Sequence, residues 1–272
     1  MFKVENFFNG ENVEIVSQNK GFKVIEYKKD LSVAPYTAAT AYFSALMKCR
    51  KRQLAIEMDG TSGVILQAGA MQWTAGNVGA TSGIKSPMDL AKKLFKGKVT
   101  GESAVKPEYQ GSGLLVCEPT YKHLIVMDLA DWNGSVVLDD GMFCACESTV
   151  KQELVMRSNL SSAVAGGEGL FNLGLRGSGI FCVESFSPQE ELIEINLEND
   201  VLKIDGNMAV AWSGGLSFTT ERSGKSLVGS VVSGEGLVNV YRGTGKVLLA
   251  PVSTSAMLLR NTNSGPIMNS SK

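Results

Sequence analysis

The sequence predicts an all-β fold: three tandem β-sandwich repeats of about 66 residues forming a single-chain pseudo-trimer, with one or two short helices. Three observations predict it. Thirty glycines stand against seven prolines, among many short runs of Val, Leu and Ile, the composition of short strands joined by tight turns. A Gly-x-Gly pair recurs as Gly111/Gly113, Gly177/Gly179 and Gly243/Gly245, with spacings of 177 − 111 = 66 and 243 − 177 = 66. Ahead of each pair stands a second recurring element, "VILQAGAMQW", "VVLDDGMFCAC" and "LKIDGNMAVAW", anchored at Gly69, Gly141 and Gly206. A period of this length marks one supersecondary unit used several times.

The elements follow in order. Residues 1–50 form an N-terminal extension of two strands, "VEIVSQ" and "FKVIEY", and a helix over 36–48, "YTAATAYFSALMK". Repeat one spans 51–130. Its glycine spacing, 141 − 69 = 72 against 206 − 141 = 65 in the next repeat, calls for an insertion, which falls on a helix over 86–97. Ser86 is its N-cap, Pro87 its first helical position and Gly97 its C-cap. Repeat two spans 131–198. Phe171, Leu173 and Leu175 alternate onto one face, as do Ile193, Ile195 and Leu197, the half-buried pattern of antiparallel sheets. Repeat three spans 199–260, and the polar segment 261–272 reads as a flexible tail.

The stretch "GGEGLFNLGLRGSG" has the glycine content of a phosphate-cradling loop. Such a loop opens a helix after a strand and is needed once. Here the motif is in triplicate and leads into "LLVC", "IFCV" and "KVLL", which read as buried strands. The glycines therefore serve backbone turns and bulges, not a nucleotide.

The net charge of −1 gives no whole-molecule field to attract nucleic acid or an anionic bilayer. The first residues lack the basic and apolar regions of a secretory signal, and no run reaches the ~18 apolar residues of a membrane span. Five cysteines without C-x-x-C spacing fit a reducing, cytoplasmic compartment.

Candidate chemistry is sparse. The single histidine, His123, aligns with Glu191 and reads as solvent-facing, not catalytic. Cys144 and Cys146, two apart on a strand, point the same way, as metal ligands do. Their counterparts Ala209 and Ala211, and the alignment of Cys117 and Cys182 with Leu249 and Leu248, favour small buried apolar roles, so no metal site is expected. Glu102, Glu168 and Glu235 are repeat-equivalent acids, and Arg176 and Arg242 recur beside the turns. These five are the candidate binding residues. Their default role is to fix strand ends and joints between units. "KCRKR", Lys48 to Arg52, and the cluster Lys92, Lys93, Lys96 and Lys98 read as solvated charged faces without interleaved aromatics for base stacking. Trp73 and Trp212 read as core.

The words "LQAGAMQW", "KLFKGKVTGES", "GGEGLFNLGLRGSG", "DGNMAVAW" and "SGEGLVNVYRGTGKVLLAP", in that order over roughly residues 52–260, carry a resemblance. The chain resembles the altered-inheritance-of-mitochondria family, formerly a domain of unknown function. The resemblance implies a pseudo-trimer of β-sandwich units, similar in fold to the tryptophan RNA-binding attenuation protein. It supplies no catalytic residues. The expectation is a non-enzymatic assembly or binding protein, homo-oligomeric or with an unknown protein partner, without a cofactor. The alternatives are a nucleic-acid-binding regulator by fold analogy, and a small-molecule or sugar-binding protein using a cleft between repeats.

Overall fold

The computed structural model describes residues 2–81, 106–156, 171–222 and 237–252. The helix expected over 86–97, its lysine cluster, the tail 261–272, and Glu102, Glu168 and Glu235 lie outside the described residues.

The described chain is mostly antiparallel β-structure with one α-helix. Strands β1 (Val13–Asn19) and β2 (Phe22–Tyr27) form a hairpin. A 3-10 turn, Pro35–Thr37, leads into α1 (Ala38–Leu46). Then come β3 (Arg52–Asp59), β4 (Val64–Leu66), β5 (Met71–Thr81) and β6 (Glu108–Cys117). The middle of the chain holds β7 (His123–Asp128), β8 (Ser135–Leu138), β9 (Phe143–Glu147), β10 (Lys151–Met156), β11 (Phe171–Arg176) and β12 (Ile180–Ser185). The last strands are β13 (Ile193–Asp205), β14 (Ala209–Ser213), β15 (Ser217–Arg222) and β16 (Leu237–Leu249).

One sheet runs β1-β2-β3-β6-β4-β9-β12-β7, with β5 on β6; the other runs β10-β11-β8-β14-β16-β13, with β15 on β16. β7 comes back against β1, β2 and β3, and Arg52 bridges Thr120, so the first sheet curls into a near-barrel. Curling covers strand edges that would otherwise template pairing with another chain.

The continuous apolar runs have a physical reason: each strand is a wall between two cores. In β6, Leu115 and Cys117 face the barrel interior, while Leu114 and Val116 face a second core covered by Phe7 and Val13. In β12, Ile180 and Cys182 face the barrel, and Phe181 and Val183 face the core shared with the second sheet. A strand buried on both faces cannot alternate with polar residues. A fourth core holds Trp212, Phe218 and Tyr241 with ring centroids 5.0–5.3 Å apart. Trp73 is half-buried, its ring 5.2 Å from Phe7.

The three glycine pairs share one backbone geometry. Gly111, Gly177 and Gly243 have φ of 113°, 113° and 122°, and Gly113, Gly179 and Gly245 have 152°, 141° and 154°. At Gly177–Gly179 the chain passes from β11 in one sheet to β12 in the other. Strands that switch sheets turn the corner through bulges or bends, where a Cβ is in the way.

Cys144 and Cys146 do not point the same way, contrary to the strand rule. A bulge in the β9–β12 pairing between Cys182 and Val183 turns Cys144 and Ala145 both toward the barrel and leaves Cys146 in the neighbouring core. An extra residue in one strand reverses the alternation beyond it. Cys117, Cys144, Cys146 and Cys182 are all buried; Cys49 is exposed. A native thiol titration with a disulfide reagent is therefore expected to count one reactive thiol, rising to the chain's five on unfolding. A native count above one would mean that the core opens on the timescale of labelling.

The candidate site: a cleft under the N-terminal helix

The run "KCRKR" is the key to this region, and it is a solvated face only at Lys48 and Cys49, while Arg50, Lys51 and Arg52 turn into the body. Arg52 is almost fully covered, with a side chain 4% exposed beside Glu26 at 7%. Glu26 Oε1 accepts from Arg50 Nη1 at 2.7 Å, and its Oε2 forms an ion pair with Arg52 Nη2 at 2.6 Å. The same guanidinium groups hold backbone. Arg50 Nε donates to the Ala45 carbonyl at 2.9 Å, and Arg52 Nη2 donates to the Lys48 carbonyl at 2.9 Å. The last carbonyls of a helix have no intrahelical donor, so cations there complete it. Lys48 takes φ of 59°, and the Cys49 amide donates back to Ser44 at 2.9 Å, ending the helix without a glycine.

This knot fixes α1 over the body and leaves a cleft of about 250 Å³ beneath it. Thr37, Thr40, Ala41, Ser44 and Ala45 line it from the helix. Their spacing of three and four residues places them on one helical face. Tyr27, Asp30 and Tyr121 line it from the body. Asp30 accepts from Tyr121 Oη at 3.0 Å and Lys51 Nζ at 3.3 Å. Its carboxyl is held below the usual carboxylate range, first by the Ser32 amide and then by these groups. Burial raises the Tyr27 hydroxyl, which donates to Gln53.

The large side chains lie on the opposite face of α1. Tyr42, Phe43, Leu46 and Met47, with Tyr36 just before the helix, are exposed. The helix thus turns its small residues inward and its large apolar residues outward, the reverse of an ordinary surface helix.

The remaining candidates are dispersed. Arg176 pairs with Glu153 at 3.3 Å across the β10–β11 hairpin. Arg242 makes a two-pronged pair with Glu221, at 2.6 and 2.9 Å, across β15–β16. That pairing lowers Glu221 to about 2. Both arginines directly precede a Gly-x-Gly pair, on separate hairpins. Cys117, Cys144 and Cys182 share the barrel core. Cys117 is raised by its hydrogen bond to Cys144 and by burial, and Cys182 by burial and its own bond to Cys144. Among the described residues no group of three or more His, Cys, Asp or Glu is arranged to hold a metal ion.

His123 is half-buried at the start of β7, opposite Ser185, and not solvent-facing. Burial and then the nearby Arg52 charge lower it to about 4. A folded value below the ordinary 6.5 means that the unfolded chain binds the extra proton first. The neutral imidazole therefore contributes stability that is complete above pH 6.5 and is lost as pH falls toward 4. The melting temperature is expected to decline between about pH 6.5 and 4.5 in the native sequence and to decline less in His123→Gln. Equal slopes would refute the assignment. Glu221 adds to the decline only toward the low end of this interval, where its ordinary value of 4.5 is reached, and it does so equally in both chains.

Fold and site together define a class: an antiparallel β protein of two sheets with a helix-capped cleft. The chain belongs to the mitochondrial biogenesis AIM24 family, whose model matches residues 43–252. It is similar to an uncharacterized protein of Streptococcus pyogenes serotype M6, 27% identical over 205 residues, covering 71% of this chain and 79% of the relative. A crystal structure of a Streptococcus pyogenes protein superposes with a TM-score of 0.57 at 22% identity, covering 79% of this chain and 94% of that one. That likeness concerns the fold. The family match begins inside α1, so Tyr27, Asp30 and the first turn of the helix lie upstream of it. No helix among the described residues is long and apolar enough to cross a membrane.

Proposed function

We propose that the chain is a non-enzymatic assembly or binding module. Three repeat-related β units form its pseudo-threefold body, and the N-terminal helix presents a contact surface upon it. The observation that carries this reading is the outward face of α1, where Tyr42, Phe43, Leu46 and Met47 stand in solvent above a small-residue inner face. Monomeric proteins rarely leave a large contiguous apolar patch uncovered unless it meets something. The recurring glycine geometry supports the threefold body, and the hairpin pairs of Arg176 and Arg242 support a framework role for the recurring polar residues. Free thiols throughout the described chain suit a reducing compartment. Size-exclusion chromatography with light scattering tests the reading. A mass above the 29.0 kDa of one chain is expected, alone or with a co-purifying partner, and a strict monomer with no partner at high concentration overturns it.

A second reading has one observation in its favour. Asp30, Lys51 and Tyr121 converge on the cleft with small alanine, serine and threonine side chains opposite, which suits a small polar ligand. A ligand that binds only the folded chain raises its melting temperature. A metabolite panel that produces no shift removes this reading. Nucleic-acid binding draws little support, since Arg50, Lys51 and Arg52 are already paired with carboxylates of the chain.

A further inference from the structure

We infer that the outward face of α1 is a self-association site, packing against the same face of a second copy about a two-fold axis. This rests on the reading of the chain as an assembly module and names the partner. Tyr36 is 89% exposed, Met47 78%, Phe43 64%, Leu46 60% and Tyr42 51%. No residue from Leu31 to Met47 carries a charge, so the strip has no charge pattern with which to select a charged partner. It is complementary to itself, which is what an isologous contact requires.

The area is adequate. A fully buried aromatic side chain covers about 150–250 Å². At these exposures the three aromatics with Leu46 and Met47 offer on the order of 500 Å² per copy, and a two-fold pair reaches the ~1,000 Å² of a small specific interface. Tyr42 and Phe43 already stack edge-to-face at 5.6 Å, so two large side chains are pre-ordered and lose less freedom on contact. The helix itself is anchored by the Glu26–Arg50–Arg52 knot, which makes it a fixed platform.

The rim favours a protein over an anionic bilayer. Lys48, at the end of the strip, is 4.0 Å from Glu190, with Glu191 beside it in the same exposed turn. A rim of mixed sign is ordinary at protein contacts, whereas a bilayer-binding helix carries an excess of Lys and Arg.

The test uses the full chain. Sedimentation velocity and light scattering are expected to give twice the 29.0 kDa chain mass, or a multiple of it. Phe43→Glu is expected to dissociate that contact, raising the dissociation constant at least ~10-fold. Because Phe43 is exposed, the variant's circular dichroism should match the native protein, and its melting should match native chain diluted to monomer, which separates lost contact from lost fold. Tyr42→Cys in a Cys49→Ser background leaves one exposed thiol, on the proposed face, and should form a disulfide-linked dimer under mild oxidation. A native chain that stays monomeric up to ~100 µM overturns the proposal. So does an oligomer whose mass Phe43→Glu leaves unchanged, although the broader assembly reading then survives through another surface. Flotation with phosphatidylcholine/phosphatidylglycerol vesicles is the third arm. Monomeric chain that floats only with Phe43 intact would reassign the face to lipid.

Discussion

Glu26→Ala is expected to cost about 3–5 kcal/mol of folding stability, the usual penalty for removing one partner of a buried ion pair. The cost is not the lost attraction alone. Arg52 would keep its charge with a side chain only 4% exposed, and its remaining partners would be the carbonyls of Arg50 and Lys48. Arg50 would lose its 2.7 Å contact and with it part of the restraint that holds its Nε on Ala45. A urea titration measures the loss. Proteolysis around residues 47–51 should accelerate, since this knot ties the helix end to the sheet. Glu26→Gln keeps the volume and one acceptor, and should fall between the alanine variant and the native protein. The contrasting control is Arg242→Ala. Its pair with Glu221 has the better two-pronged geometry but lies open, at 40% and 36% side-chain exposure, so its loss should be far smaller. A Glu26→Ala loss no larger than that of Arg242→Ala would mean that water reaches the knot and that the helix is held by other contacts.

Local signals in the sequence reach some of this structure and miss the rest for identifiable reasons. The two N-terminal strands and the helix are legible because propensity, spacing and Pro35 agree over short stretches. The glycine pairs are legible because a backbone demand leaves the same residue at the same spacing. The orientation of Cys144 is not, because the bulge that sets it is a property of the β9–β12 pairing and not of either strand. The role of "KCRKR" is hidden for the same reason: Glu26 lies on another strand, 24 residues before Arg50. The cleft depends on a still longer closure, Asp30 to Tyr121, across 91 residues. The inverted helix is a different case. Its small and large faces are both visible in "YTAATAYFSALM", yet amphipathic reasoning would bury the large one. The sheet beneath it offers a cleft lined by Asp30, Lys51 and tyrosines in place of an apolar trough, so the small face goes inward.

Gly111→Ala should be more damaging than the same change at the other two pairs, although the three positions share a backbone conformation. All three have φ near 113–122°, which an L-residue adopts at about 1–3 kcal/mol. That common cost is what Gly177→Ala and Gly243→Ala should show, because a Cβ there would lie 3.5 Å from the Thr149 oxygen and 3.6 Å from Leu216. At Gly111 the new Cβ would sit 1.9 Å from the Asn77 carbonyl oxygen, on the strand paired with it. A backbone oxygen in a ladder cannot rotate away as a side chain can, so β5 and β6 must separate and the loss should reach ~4 kcal/mol or more. Urea midpoints for the three single variants, measured side by side, separate the shared demand from the local one. Three equal losses would mean that conformation alone sets the glycine requirement and that β5 yields freely. A loss below ~1 kcal/mol at Gly177 or Gly243 would break the equivalence of the three glycine positions itself, since a residue free to be alanine has no reason to recur at that spacing.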